Sequence, residues 1–326
     1  MTHDIDPSLL TSIRAATDRP DGRIVEHVQS LWSGYGAIYR FADDRASYIV
    51  KHVSPPSERN HPRGWSSDRS HERKLRSYAV EAEWYRTFAP RCDDRCRVPA
   101  SIHLEAADDS WLFVLEDLDA AGYSRRLHQL SDREMRACLS WLAHLHATFL
   151  GVEPAGLWEV GTYWHLATRP DELAVMDDKR LRATAGELDR RLNTARCRTF
   201  VHGDAKIANF CFGDDGTEVA AVDFQYVGGG VGVKDVAYFL SSCLDEYECR
   251  RHAEDWLDEY FGLLRDALAQ RRPGVDPRAV EAEWRALYPI AWADFVRFLV
   301  GWAPEHYKIH GYSRDMTDAV LADLEG

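Results

Sequence analysis

Val201-His202-Gly203-Asp204-Ala205-Lys206-Ile207-Ala208-Asn209-Phe210-Cys211-Phe212 is the stretch whose reading decides the rest of this chain. The run before it, Arg198-Thr199-Phe200-Val201, is apolar and β-prone, and Phe210-Cys211-Phe212 has the same character. Between them lie His202, Gly203, Asp204, Lys206 and Asn209. Two short apolar strands that bracket this much polarity describe a loop held out from a core to do chemistry. A further apolar run, Glu218 to Gln225, carries Asp223 near its end, 19 residues beyond Asp204.

The order His202-Gly203-Asp204, four residues, Asn209, and then Asp223-Phe224-Gln225 resembles the catalytic loop of the kinase-like phosphotransferases. The protein-kinase form of that loop is H-R-D-x-x-x-x-N followed by D-F-G. The H-G-D and D-F-Q forms are similar to those of small-molecule kinases: aminoglycoside phosphotransferases, choline kinases and the ecdysteroid-kinase-like family. D-F-Q, together with Ser77-Tyr78 and Glu81, leans toward the last of these. The resemblance implies an α+β, two-lobed protein-kinase-like fold. Residues 1–116 would form a nucleotide-binding lobe with a five-stranded antiparallel sheet and a helix, and residues 117–326 a larger, mainly helical lobe for catalysis and substrate binding.

It also implies ATP- and Mg²⁺-dependent phosphorylation of a hydroxyl group on a small molecule. Phosphoryl transfer needs one carboxylate to take the hydroxyl proton, and an amide and a second carboxylate to hold magnesium against the phosphates. Asp204 matches the first role, and Asn209 and Asp223 the metal roles. Lys206 matches the lysine that neutralises the transferred phosphate. Lys51 matches the strand lysine that contacts the α- and β-phosphates, with Glu81 as its helical partner and Glu83 as the alternative. The turn with Gly34 and Gly36 would lie over the phosphates, and the backbone of Glu116 and Leu118 would pair with adenine. No long activation loop follows Asp223, and Ala303-Pro304-Glu305 lies 80 residues on, past the helix at Val233, which favours a small acceptor over a protein. The competing reading is a nucleotide-binding pseudokinase that serves as a regulatory module. A hydrolase or an oxidoreductase would need G-x-S-x-G or G-x-G-x-x-G in the right context, and neither is found.

The flanking sequence is read as follows. Residues 6–17 suit a short helix with Asp6 or Ser8 at its cap. Residues 23–53 read as three strands, the last ending near Lys51. The basic segment 52–76, with three prolines and a glycine, reads as a loop, and 70–88 as a helix with an i, i+3, i+4 apolar face. Residues 98–105 and 110–116 read as two more strands. Ser131-Asp132-Arg133-Glu134 is a capping box that opens a helix to Leu150. Residues 151–177 are irregular and aromatic, suited either to an acceptor pocket or to covering the helical lobe. Gly228-Gly229-Gly230 and Gly232 read as a flexible turn before a helix at Val233, in which Asp235 has a structural role beside the catalytic loop. Long helices are expected near 246–270, 276–300 and 312–324. Trp284, Tyr288, Trp292 and Trp302 are spaced for core packing first and an aromatic substrate wall second.

The chain of 326 residues is long enough for two lobes. Its 40 Lys and Arg against 53 Asp and Glu leave a net charge of −13, which argues against unspecific binding of nucleic acid or anionic membranes. Acids in 245–259 and the aromatics above suggest an acceptor, cationic or neutral, surrounded by carboxylates and rings. Seven scattered cysteines fit a reducing cytoplasm, and Cys92 and Cys96 lack the second close pair a zinc site wants. No signal peptide and no membrane-spanning run is expected.

Overall fold

The computed structural model describes residues 6–55 and 67–325. Helix α1 (Pro7–Thr17) is capped by Asp6, whose carboxylate accepts from the Ser8 N–H at 2.8 Å. Strands β1 (Arg23–Ser30), β2 (Gly36–Ala42) and β3 (Ser47–Val53) follow, then helix α2 (Ser67–Glu83) and strands β4 (Ser101–Ala107) and β5 (Ser110–Glu116). The strands form one antiparallel sheet in the order β1-β2-β3-β5-β4. Side chains alternate across it, as strand geometry requires. Val50, Leu112 and Val114 pack on Leu9 and Ile13 of α1, while Val53, Trp111, Phe113 and Leu115 belong to the core cluster that holds Tyr78 and Tyr85.

Helix α2 begins at Ser67, earlier than the periodicity suggests, and continues into one wide turn, Trp84–Phe88. Part of the loop expected over 52–76 lies outside the described residues. Trp84 is fully buried and stacks on Phe224 at 4.5 Å, so this turn joins the sheet lobe to the segment carrying Asp223.

The second lobe is mainly helical. It comprises α3 (Asp132–Phe149), α4 (Pro170–Ala174), α5 (Lys179–Asn193), α6 (Val233–Cys243), α7 (Glu246–Arg271), α8 (Pro277–Trp302) and α9 (Gly311–Glu325). The capping box at the start of α3 is formed: the Ser131 N–H donates to Glu134 Oε2 at 2.8 Å. Two small β-ladders present the polar loop: β6 (Thr199–Val201) pairs with β9 (Gly228–Gly230), and β7 (Phe210–Phe212) with β8 (Val219–Ala221).

The glycine run is thus a buried strand rather than a flexible turn. A Cβ at Gly228 would lie 2.2 Å from the Trp158 carbonyl oxygen, so close approach of two backbones is what the glycine permits. Trp284, Tyr288 and Trp292 are core residues, at 0%, 2% and 1% exposure. All seven cysteines are free. Among the described residues no helix is long and apolar enough to cross a membrane.

Candidate active site

The loop after β6 is held from behind by Asp235 on α6, which is completely buried. Its two carboxylate oxygens accept from the His202 N–H at 2.6 Å and the Gly203 N–H at 2.9 Å. The same carboxylate faces His146 Nε2 at 3.1 Å, while His146 Nδ1 lies 2.8 Å from the Tyr260 hydroxyl. The Tyr260 hydroxyl therefore donates to Nδ1 and Nε2–H donates to Asp235. Gly203 has φ +80°, and a Cβ there would strike the Tyr226 carbonyl oxygen at 2.2 Å, so the H-G-D turn needs its glycine. His202 is buried and links the two acidic segments. Its Nδ1 accepts from the Asp204 N–H at 3.2 Å, and its Nε2–H donates to the Val222 carbonyl at 3.1 Å.

Asp204 is 7% exposed. Lys206 Nζ donates to its Oδ2 at 2.8 Å, Asn209 Nδ2 donates to the same oxygen at 3.1 Å, and the Tyr238 hydroxyl donates to Oδ1 at 3.0 Å. Burial pushes the Asp204 carboxyl up, Lys206 opposes that, and the charge of Asp223 adds to it. Burial works against the charge on Lys206, yet Asp204 and Asp223 hold its pKa above the ordinary lysine value. Tyr238 carried no signal in the sequence: it lies 34 residues from Asp204 on a separate helix.

Lys51 projects from β3 onto α2, where its Nζ donates to Glu81 Oε2 at 2.6 Å; the two residues are 5% and 2% exposed. Glu83 points elsewhere, toward Thr87 and Arg86 on its own helix. Burial pushes the Glu81 carboxyl up and Lys51 counters it. The Gln225 side chain also opposes the rise at Glu81, and Ser77 Oγ donates to Gln225 Oε1 at 3.3 Å. Ser77, Glu81 and the D-F-Q segment thereby lie close together.

Asp223 adopts φ +70°, a left-handed conformation uncommon outside glycine, and its buried Oδ1 has no hydrogen-bond partner. Asn209 uses its Nδ2 on Asp204, leaving Oδ1 without a bond among the described residues. The charge of Asp223 acts on both Glu81 and Asp204, and three carboxylates stand here against the two ammonium groups of Lys51 and Lys206. A strained, orphaned carboxylate oxygen in an excess of negative charge is what a divalent cation would relieve. Among the described residues no group of three or more His, Cys, Asp and Glu could hold a metal alone. Magnesium commonly takes one or two protein ligands and completes its shell with phosphates and water, so the pair Asn209 and Asp223 fits it.

The turn between β1 and β2 has Ser33, Gly34 and Gly36 at positive φ (59°, 74° and 128°). It is tied to α2 by Lys74 Nζ, which donates to the Trp32 carbonyl at 2.6 Å. At the other end of the sheet, the Glu116 side chain accepts from Arg97 at 2.5 Å and from the Ala100 N–H at 2.9 Å, and the Glu116 N–H donates to the Ala100 carbonyl. The Leu118 side chain is buried against Cys211 and Ala220, and its carbonyl accepts from the Tyr123 N–H at 2.8 Å. Asp117 between them, unnoticed in the sequence, is 2% exposed and accepts from Arg40 and from Ser47 Oγ.

Asp204 and Lys206 line a cavity of about 550 Å³. Its apolar wall is Tyr163, Tyr226, Tyr238, Phe295, Trp302 and Tyr307. Of the segment 151–177, Tyr163 reaches the cavity, whereas Trp164 is buried in the core and Trp158 stacks beside Tyr226. The expected ring of carboxylates is not there: among the described residues of the wall, Asp204 is the sole acid. The acids of 245–259 are used otherwise. Asp245 caps α7, Glu246 pairs with Arg250, Asp258 with Arg285 and Glu259 with Arg136.

A search of curated protein sequences returned no match. Among solved structures, an aminopropanol kinase associated with a microcompartment superposes with a TM-score of 0.53 at 16% identity, covering 96% of this chain and 93% of the other. A thermostable mutant of aminoglycoside phosphotransferase APH(4)-Ia gives 0.50 at 14% identity over 98% and 100% of the two chains. An aminoglycoside-3'-phosphotransferase of type VIII gives 0.50 at 16% identity over 87% and 98%. At these identities the likeness establishes the two-lobed kinase-like fold. The model of the phosphotransferase enzyme family matches residues 27–299, most of the chain and all of the loop just described, and the chain belongs to that family.

Proposed function

We propose that this protein is an ATP- and Mg²⁺-dependent kinase that phosphorylates a hydroxyl group of a small molecule. The observation that carries the reading is the position of Asp204. It lies at the wall of a cavity of small-molecule size, flanked by a lysine, with a metal-competent pair behind it. When bound, ATP supplies the group transferred: the acceptor oxygen bonds to the γ-phosphorus, the bond to the β,γ-bridging oxygen breaks with ADP as leaving group, and Mg²⁺ offsets charge on the phosphate oxygens.

Asp204 takes the hydroxyl proton, and its raised pKa favours that acceptance. Tyr238 and Asn209 hold the carboxylate in place, and Lys206 neutralises the phosphoryl group on its way to the acceptor. Asn209 and Asp223 hold the metal. Lys51, kept in position by Glu81, contacts the α- and β-phosphates, and the Gly34–Gly36 turn covers them. The chain divides at Glu116, and adenine pairs with the backbone there. The Leu118 N–H has no acceptor among the described residues and is free for a ring nitrogen.

The test is a mass-spectrometric screen of the purified chain with Mg·ATP against pools of alcohols, run beside Asp204→Asn. A mass gain of one phosphate on one compound, lost by orders of magnitude in the variant, is expected. Equal turnover by the variant would remove Asp204 from the reaction, and phosphorylation of generic proteins at comparable rates would overturn the small acceptor.

A further inference from the structure

The cavity beside Asp204 holds a second cation that the phosphoryl-transfer reading does not use. Lys308 lies between α8 and α9, lines the cavity, and is 6% exposed. Its Nζ sits 4.6 Å from the ring centroid of Tyr238 and 5.3 Å from that of Phe295. Among the described residues it forms no ion pair with a carboxylate. The other lysine of the wall, Lys206, is already matched by Asp204. The remaining polar lining includes His128 and His306, and burial beside Lys308 holds the His306 imidazole below its ordinary pKa. Although the protein carries a net charge of −13, this cavity is locally cationic.

A buried ammonium without a counter-charge is costly, and two ring faces return only part of the lost hydration. Those faces are also where an amine or quaternary ammonium of an acceptor would bind, and the protein's own ammonium occupies them. Resting on the reading of the chain as an alcohol kinase, we infer that its acceptor is an alcohol bearing an anionic group, a carboxylate foremost, on a flat apolar body. Lys308 receives the anion, the aromatic wall receives the body, and the hydroxyl meets Asp204. A polycationic aminoglycoside or choline would bring like charge against Lys308.

The test is calorimetric and needs no turnover. Mg·AMP-PNP is titrated first into the full chain. 3-Phenyllactate, mandelate and tropate follow, each beside its methyl ester, then 3-phenylpropyl phosphate, choline and kanamycin. At least one acid is expected to bind tenfold or more tighter than its ester. Lys308→Gln should erase that preference, and Lys308→Arg should keep most of it. Acid and ester binding alike, no acid binding at all, or choline or kanamycin binding more tightly than every anion would each overturn the inference. The acid–ester comparison on the unaltered protein stands even where a variant does not fold. The phosphate arm tells whether the anion read is a carboxylate or a phosphate: tighter binding of 3-phenylpropyl phosphate than of all three acids would overturn the carboxylate assignment. Equal loss of acid and ester affinity in Lys308→Gln would mean that Lys308 does not read the anion. Failure of Mg·AMP-PNP to bind in the first titration is a separate result, which sinks the kinase reading itself.

Discussion

Asp235→Ala should be among the most damaging single substitutions in this chain. The side chain accepts from three buried donors, the N–H groups of His202 and Gly203 and the Nε2–H of His146. Leaving a buried donor unsatisfied costs about 1–3 kcal/mol, so three would cost roughly 3–9 kcal/mol if independent. They share one acceptor and water can enter the vacated volume, so about 3–5 kcal/mol is expected. That is a large part of the ~5–15 kcal/mol that holds a folded protein together. Asp235→Asn keeps the shape. Its amide oxygen can still serve His202 and His146, while its NH₂ must face the Gly203 N–H, so the expected loss is about 1–3 kcal/mol. Urea unfolding measures both variants, read from the midpoint at unchanged m. The released loop carries Asp204, and a 1 Å misplacement of a reacting group costs about 100-fold in rate, so kcat should fall in both variants. A loss below about 1 kcal/mol for Asp235→Ala, or a larger loss for Asn than for Ala, would refute the account of what this carboxylate does.

Lys51→Ala and Glu81→Ala should each cost about 3–5 kcal/mol, because each leaves a buried charge unpaired; the double variant should lose far less than the sum, and an additive result in a denaturant cycle would show that the pair is not coupled. Tyr238→Phe removes one hydrogen bond to Asp204 and should cost roughly 1 kcal/mol, with kcat reduced and Mg·ATP affinity unchanged; an altered nucleotide affinity would place Tyr238 elsewhere in the mechanism. Burial lowers the Lys308 ammonium to about 8 from 10.5, in surroundings that include Asp204, Lys206 and Cys243, with His306, His128 and the Tyr238 ring nearby. Affinity for an anionic alcohol should therefore be flat below pH 8 and weaken above it. In the free protein, the unfolded chain keeps the Lys308 proton that the folded one sheds between about 8 and 10.5, so this residue makes stability rise with pH across that window, by about 3 kcal/mol. Lys308→Gln should abolish this part of the pH dependence, and an unchanged profile in that variant would contradict it.

Much of the architecture was readable because periodicity and spacing are local. The apolar runs of β3 and β5 and the capping box at Ser131 each lie within one element and formed where they were expected, and the apolar face read over 70–88 is there, although α2 starts at Ser67 and gives way to the wide turn after Glu83. The Lys51–Glu81 pair was within reach because a strand lysine and a helical glutamate suffice to suggest it, although choosing Glu81 over Glu83 relied on a family pattern. Tyr238, Asp117 and Lys308 were not legible. Their roles come from contacts between distant elements, and nothing in the surrounding residues marks them. The glycine run 228–230 misled for a physical reason: glycine serves both freedom and close packing, and only the Trp158 backbone pressing on Gly228 shows which applies. The acids of 245–259 misled because composition does not tell which way a helix faces.

The stack of Trp84 on Phe224 has a consequence for control. In this chain the helix bearing Glu81 is anchored to the other lobe by a buried indole and by the Ser77–Gln225 contact. Swinging that helix outward, a familiar way to silence a kinase, would strip the indole of its surroundings. A tryptophan buries about 150–250 Å², and at about 25 cal/mol per Å² that displacement costs roughly 5 kcal/mol. An outward state would be held by about one molecule in several thousand. An effector seeking to switch the protein off by that route would have to supply the whole difference as preferential affinity for the rare state. In this chain, control by that route would have to work against the packing of Trp84.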